Sequence, residues 1–281
     1  MTCPAQRRRI WRTSERLPDG TRRAATIRVA SGHGAAEVHA HTLASDGMVT
    51  GRELVRAAAD IGLHVLCITD HDTMTAVAAA QEAGAEFGVD VVSGQEITAA
   101  GPAGAHVIAL FLERPVRMGM PVEDTVDAIR DHGGLAIIAH PLMPTYFASL
   151  GRRRLQRLID RGTVDGIELR HTAVMAPGGF ARLDGLYADH RDALGAALGA
   201  GDSHFGRHDL GRVVTMFPGT TAADLRRAIE TRTTSPARGL APEPPPTLLR
   251  LAQQRRSLWW LPRERRSGRV GGGVGPTAVR G

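Results

Sequence analysis

Apolar and polar positions along the chain fall into short apolar runs separated by longer amphipathic stretches. Ala36 to His41 is the first run that reads as a strand. Arg52 to Ile61 then carries a helical period, with Thr50 where a cap belongs and Gly62 where a helix stops. Val65 to Thr69 is short and unbroken, the mark of a strand buried on both faces. The alternation continues with an Ala-rich helix over Thr75–Phe87 and a strand over Val89–Val92, which leads through Ser93, Gly94 and Gln95 to Glu96. Next come a strand over His106–Phe111, an amphipathic helix over Val122–His132 and a strand over Leu135–Ala139. Helices over Arg152–Arg161 and Phe180–Leu194 flank a strand at Gly166–Leu169, and a small-residue strand follows at Ala196–Gly201. Val213–Phe217 reads as an edge strand, and Thr221 caps a last helix over Ala222–Thr231.

Strands that alternate with helices predict parallel βα units. Seven such strands with short connections, and no GxGxxG turn for a dinucleotide, favour a closed α/β barrel over an open doubly wound sheet. In such barrels the chemistry sits at the C-terminal ends of the strands. The body is expected over 35–236. Residues 1–34 read as a basic extension in which Ala25–Ala30 could form a short strand. Residues 237–281 read as a Pro-, Arg- and Gly-rich tail whose one apolar cluster is Leu258-Trp259-Trp260-Leu261, expected to dock on the body.

Charge changes this picture in one respect. The net charge is +6 over 281 residues, but residues 1–28 hold 8 Arg and 2 acids and residues 247–281 hold 8 Arg and 1 acid. The middle holds 19 Arg and 26 acids, so an acidic body carries two basic tails and argues against a long nucleic-acid track. Lysine and asparagine are absent, a composition bias that weakens any argument from the arginine count. The tails are expected to be solvated. No apolar run approaches the ~18 residues of a membrane span, and no apolar segment follows Arg7–Arg9 as in a signal peptide, so a cytoplasmic location is expected. Cys3 and Cys67 do not make a disulfide framework.

The polar residues at the ends of the apolar runs carry the chemistry. His39 and His41 stand at i and i+2, on one face of a strand. Alone the pair is a weak signal. It recurs as Asp46, Asp70 and His71, Glu96, His106, His140, and Asp202 with His204, so that six of the twelve histidines lie at strand ends. A barrel would gather those ends at one mouth. So dense a group of imidazoles and carboxylates is costly to bury unless it is paired or holds a cation. Imidazole with carboxylate suits Zn, Mn or Fe better than Ca, and the lack of a nearby cysteine excludes a thiolate zinc site.

These segments together resemble the PHP (polymerase and histidinol phosphatase) superfamily. The resemblance lies in His39-Ala40-His41-Thr42 with Ser45-Asp46-Gly47, in Thr69-Asp70-His71-Asp72-Thr73, in Gly94-Gln95-Glu96 through His106 to His140-Pro141, and in Gly201-Asp202-Ser203-His204. It implies a distorted (β/α)7 barrel of the TIM-like kind holding two or three divalent ions, Mn, Zn or Fe. It also implies the ligand sets: His39, His41, Glu96 and Asp202 for one ion, Glu96 with His106 and His140 for a second, and Asp46, His71 and His204 for a third. The residue two before His39 is usually Asp in the family and here is Glu37. The nucleotide-cleaving branch carries a long insertion before its His-Pro motif, whereas only Ala105 to Ala139 fills that interval here.

The implied activity is metal-dependent hydrolysis of a small phosphate ester by an activated water. Asp70 and Asp202 are candidates to hold that water or a ligand imidazole, and His204, His208 or water could protonate the leaving oxygen. Arg170 and Arg207 follow strand ends and could grip a phosphate, with His171 near the mouth. Histidinol-phosphate phosphatase, a 5′-end exonuclease or nucleotide phosphatase, and a non-catalytic metal-binding regulatory domain remain as alternatives.

Overall fold

The structure is a computed structural model that describes residues 26–101, 104–143 and 149–270. The readings placed on residues 1–25, Cys3 among them, and on 271–281 lie outside the described residues. Among the described residues nine strands make one sheet: β1 (His33–Glu37), β2 (Val65–Ile68), β3 (Asp90–Ala99), β4 (Ala105–Leu110), β5 (Leu135–Ile138), β6 (Gly166–His171), β7 (Ala196–Ala200), β8 (Val213–Pro218) and β9 (Ser235–Arg238). Their order is β7-β6-β5-β4-β3-β2-β1-β8-β9. The two ends of the sheet meet. The hydroxyl of Thr215 accepts from the Gly199 N–H and donates to the Gly199 carbonyl, at 3.0 and 2.8 Å. Past β1 and β7, the His41 N–H donates to the Ser203 carbonyl at 2.8 Å, a parallel bridge across the seam. The result is a nearly closed α/β barrel.

The helices are α1 (Gly51–Ile61), α2 (Val77–Phe87), α3 (Val122–Asp131), α4 (Arg152–Arg161), α5 (Gly179–Leu194) and α6 (Ala222–Glu230), followed by α7 (Thr247–Arg255), a π-turn (Arg256–Trp260) and α8 (Leu261–Arg266). Thr50 and Thr221 both build reciprocal capping boxes, with Glu53 and Asp224, each worth about 1 kcal/mol. The period-2 alternation of the strands sorts the core into two layers. Val65, Cys67, Ile108, Leu110, Ile137 and Leu198 fill the barrel interior. The intervening Leu66 and Ile68 face Leu54 and Ala80 of α1 and α2, and Val107, Ile138 and Ile167 face Val126, Leu155 and Leu183 of α3, α4 and α5. No helix among the described residues is long and apolar enough to cross a membrane.

Three sequence expectations are corrected. The strands are not all parallel: β4 runs antiparallel to both β3 and β5, because five residues join β3 to β4 and leave no room for a crossover helix. His106 therefore opens its strand, and the reversal is what brings it to the same mouth as the strand ends. β3 is ten residues long and Glu96 lies inside it. Gly94 does not turn the chain but admits the Ala109 carbonyl, which a Cβ there would meet at 2.7 Å. The segment after Pro236 is also structured: β9 extends to Arg238, Leu240 is buried, and residues 247–266 are helical. Of the cluster expected to dock, Leu261 is buried while Leu258 and Trp259 are exposed.

Candidate metal centre

The mouth is built by extending the inward register of each strand. Ala196, Leu198 and Ala200 point into the barrel, and Asp202 follows in the same phase. On β6 the outward Ile167 and Leu169 leave Glu168 pointing in. After Val38 the alternation slips by one, since Ala36 and Val38 lie in the interior and Ala40 in the outer layer. Both His39 and His41 therefore face the mouth, their Nε2 atoms 3.0 Å apart. Asp202 and His140 hold left-handed backbone at φ 49° and 26°, a conformation uncommon for residues other than glycine.

Glu96 is the hub. Its Oε2 lies 3.2 Å from His39 Nε2, 3.3 Å from His41 Nε2 and 3.1 Å from His71 Nδ1. Its Oε1 lies 2.7 Å from His106 Nδ1 and 3.1 Å from His140 Nε2. Asp202 Oδ1 is 3.3 and 3.2 Å from the Nε2 atoms of His39 and His41. Asp46 Oδ1 is 3.3 Å from His204 Nε2, 3.7 Å from His71 Nε2 and 3.9 Å from His41 Nδ1. Three sets have ligand atoms within 4.8 Å of one another: His41, Asp46, His71 and His204; His39, His41 and Asp202; His71, Glu96 and His106. His140 joins through Glu96.

These residues fit divalent cations on their own evidence. Asp46 Oδ1, His41 Nδ1, His71 Nδ1 and His106 Nδ1 are buried, and none makes a well-formed hydrogen bond. Buried polar atoms whose hydrogen bonds are poorly formed cost free energy, and several converging at one point suit a shared ion. Burial pushes the carboxyls of Glu96 and Asp202 up, but the surrounding imidazoles outweigh it and hold both well below the usual carboxylate range. Asp46 is lowered in the same way by His204 and His71. The mouth thus holds ionised carboxylates balanced by protonated imidazoles, whose positive charge a bound cation can replace.

A second tier of buried carboxylates fixes the first. Glu168 Oε1 takes His39 Nδ1 at 2.8 Å, and Oε2 accepts the His140 N–H at 2.6 Å. Glu37 accepts the Gly201 N–H at 2.7 Å. Asp209 accepts from the Ser203 hydroxyl and from the N–H groups of His204 and Phe205. Asp70 does not reach the cluster. Its oxygens accept from the Thr42 N–H and hydroxyl and from the Ser45 hydroxyl, so it pins the loop that carries Asp46. Glu168 had one sequence signal, an acid inside an apolar strand; Asp209 had none.

Of the three candidate substrate residues, only His171 lies within electrostatic reach of the cluster, beside Glu168, His140, Asp202 and His39. A bulge between Glu168 and Arg170 turns Arg170 outward, where it binds Asp184 through both guanidinium NH groups at 2.7 and 2.8 Å. His171 is buried against Phe180. Arg207 is exposed on the short turn Gly206–His208. None of the three lines the cavity above the cluster.

The PHP domain model matches residues 37–211, most of the barrel and the whole cluster. The chain belongs to the PHP family. An uncharacterized protein from Methanocaldococcus jannaschii is 34% identical over 145 residues, which is 48% of this chain and 80% of that one. A 3′,5′-nucleoside bisphosphate phosphatase from Chromobacterium violaceum is 28% identical, over 63% of this chain and 69% of its own. A 5′-3′ exoribonuclease from Haemophilus influenzae is 27% identical, and the match spans 69% of this chain and 63% of the exoribonuclease. Among solved structures, a two-domain protein from Bacteroides vulgatus containing a predicted PHP-like metal-dependent phosphoesterase superposes with a TM-score of 0.63 at 20% identity, over 78% of this chain and 70% of that one. At that identity the likeness is one of fold.

Proposed function

We propose that this chain is a metal-dependent phosphoesterase that hydrolyses a small phosphate ester at a centre of two or three divalent ions. The enzyme class, a hydrolase of phosphate esters, comes with PHP family membership. The barrel over 35–236 is the domain that carries the activity. The observation that supports the reading is the convergence of buried imidazole and carboxylate ligand atoms, several without a well-formed hydrogen bond, around Glu96 and Asp46.

His39, His41, Glu96 and Asp202 would hold one ion, Glu96 with His106 and His140 a second, and Asp46, His71 and His204 a third, Mn, Zn or Fe by donor type. Bound there, the ions would neutralise phosphoryl oxygens and acidify a water. The protein's part is to orient. Glu168 fixes the ring of His39, Asp70 the loop of Asp46, and Asp209 the turn of His204. As a ligand His204 would be neutral, so the proton for the leaving oxygen would come from a water. A phosphorylated mononucleotide is the second reading for the substrate, favoured by the likeness to the bisphosphate phosphatase.

The test is elemental analysis of the purified protein together with hydrolysis of p-nitrophenyl phosphate and bis-p-nitrophenyl phosphate in added Mn²⁺. Bound metal with turnover is expected, and the preferred ester sorts monoesters from diesters. Absence of metal after loading with Mn²⁺ or Zn²⁺ would overturn the reading.

A further inference from the structure

The segment α7–π-turn–α8, read from the sequence as part of a tail, lies across the mouth of the barrel. It is attached to the same loops that carry the cluster. The Arg256 guanidinium donates to the carbonyls of Leu43 and Ser45, each at 2.8 Å. Gln253 Nε2 donates to Asp46 Oδ2 at 3.3 Å, the oxygen turned away from the imidazoles. Arg265 donates to Asp72 Oδ2 and to the Thr98 hydroxyl, both at 2.7 Å, so it is tied to the residue after His71 and to the strand of Glu96. Leu261 is buried beneath, and the opposite face exposes Trp259.

Between this segment and the cluster lies a cavity of about 860 Å³. That is the size of a small-molecule site. Its floor is Asp46, His71, Glu96, His106, Asp202 and His204. Its far side is lined by Gln253, Gln254, Ser257, Leu258 and Leu261. Amides, a hydroxyl and two leucines form a neutral, amphipathic surface. The segment's one cation in the lining, Arg265, is already committed to Asp72. A track for single-stranded nucleic acid needs an open groove with free cations along it and aromatic platforms. The described residues lining the cavity include no free cation and no Phe, Tyr or Trp.

We propose that Gln253–Leu261 forms the pocket for the alcohol part of the substrate. On the phosphoesterase reading, on which this rests, the site takes phosphomonoesters of a neutral alcohol no larger than a nucleoside, and excludes oligonucleotides. Gln253, Gln254 and Ser257 hydrogen-bond the alcohol part while Leu258 and Leu261 cover its apolar face. The phosphate lies against the floor and the alcohol part against the segment.

The test is hydrogen exchange on the full-length, Mn²⁺-loaded protein with benzylphosphonate, a probe that has the phosphate-like head and a neutral arm but no ester to cleave. Benzylphosphonate at ten times its Kd should slow exchange in residues 253–261 by up to about tenfold, whereas inorganic phosphate at equal occupancy should not. Ser257→Trp, which crowds the segment's face of the pocket, should abolish that protection with metal content retained, and should raise KM for p-nitrophenyl phosphate about tenfold while changing kcat less. Exchange that responds equally to both probes, or to neither, overturns the proposal, as does wild-type cleavage of a 5′-phosphorylated octaribonucleotide as fast as the small ester. If no ester turns over yet benzylphosphonate still protects 253–261, the pocket stands and the phosphoesterase reading falls. Turnover without that protection has the opposite meaning.

Discussion

Glu168 Oε1 lies 2.8 Å from His39 Nδ1, and the second oxygen of the same carboxylate accepts the His140 N–H at 2.6 Å. One buried acid thus orients two cluster residues that follow strands β1 and β5. A carboxylate on the far nitrogen of a ligand imidazole fixes its tautomer and raises its basicity. Glu168→Gln should weaken metal affinity about 10–100-fold with the fold intact. Competition with a chromophoric chelator measures this, and an unchanged affinity would show that His39 needs no such support.

Glu96 makes a sharper case, because five imidazoles contact its two oxygens. Glu96→Ala should lose bound metal and ester hydrolysis together. Retention of full activity by this variant is incompatible with Glu96 as a bridge. Circular dichroism would separate loss of the site from loss of the fold.

The metal-free cluster stores protons that cations must displace. Burial lowers the His204 imidazole, but Asp46 and Asp202 outweigh it and raise it to about 10. Burial acts the same way on His39, and Glu96, Asp202 and Glu168 raise it well above its ordinary value. His41 and His140 are raised as well, so loading metal near pH 7.5 should release at least about two protons, since ligand imidazoles bind ions in the neutral form. Titration calorimetry in buffers of different ionisation enthalpy reads the number directly; a heat that does not depend on buffer would refute it. The sign for stability follows. A raised imidazole stabilises the metal-free fold fully below about 6.5, its unfolded value, and that contribution is lost as pH rises toward 10. The Tm of the chelator-treated protein should fall across that interval.

Much of this arrangement was legible in the chain. The barrel followed from apolar runs alternating with amphipathic helices. The meeting of His39, His41, His71, His140, Asp202 and His204 at one mouth followed from their places at the ends of those runs. The antiparallel β4 was hidden because periodicity reports faces, not direction. Gly94 concealed that Glu96 lies mid-strand, since a glycine that admits a neighbouring carbonyl looks the same as one that turns the chain. Asp209 and Glu37 hold backbone N–H groups, which leave no mark in side-chain spacing. The docking of 247–266 rests on arginines that meet carbonyls and Asp72 of distant loops, and a run of prolines and arginines reads as solvated when those partners are unknown.

Glu37 supplies a titration of opposite chemistry to His204. Its Oε1 accepts the N–H groups of Gly201 and His39, while Oε2 is buried without a partner. Position 201 is glycine for the same reason, since a Cβ there would lie 2.2 Å from that oxygen. Burial raises the carboxyl from 4.5 to about 8 against the pull of those two N–H groups. The neutral acid favours the fold; that contribution is complete below 4.5 and disappears as pH rises through about 8. Glu37→Gln keeps the accepting oxygen and removes the charge. In chelator-treated protein the variant should gain on wild type between pH 5 and 8, by at most about 1.4 kcal/mol per pH unit, and no further above that. Urea unfolding of both proteins at each pH gives the difference. A difference that does not change with pH would mean that Glu37 is already ionised throughout the interval, held there by charge from the cluster.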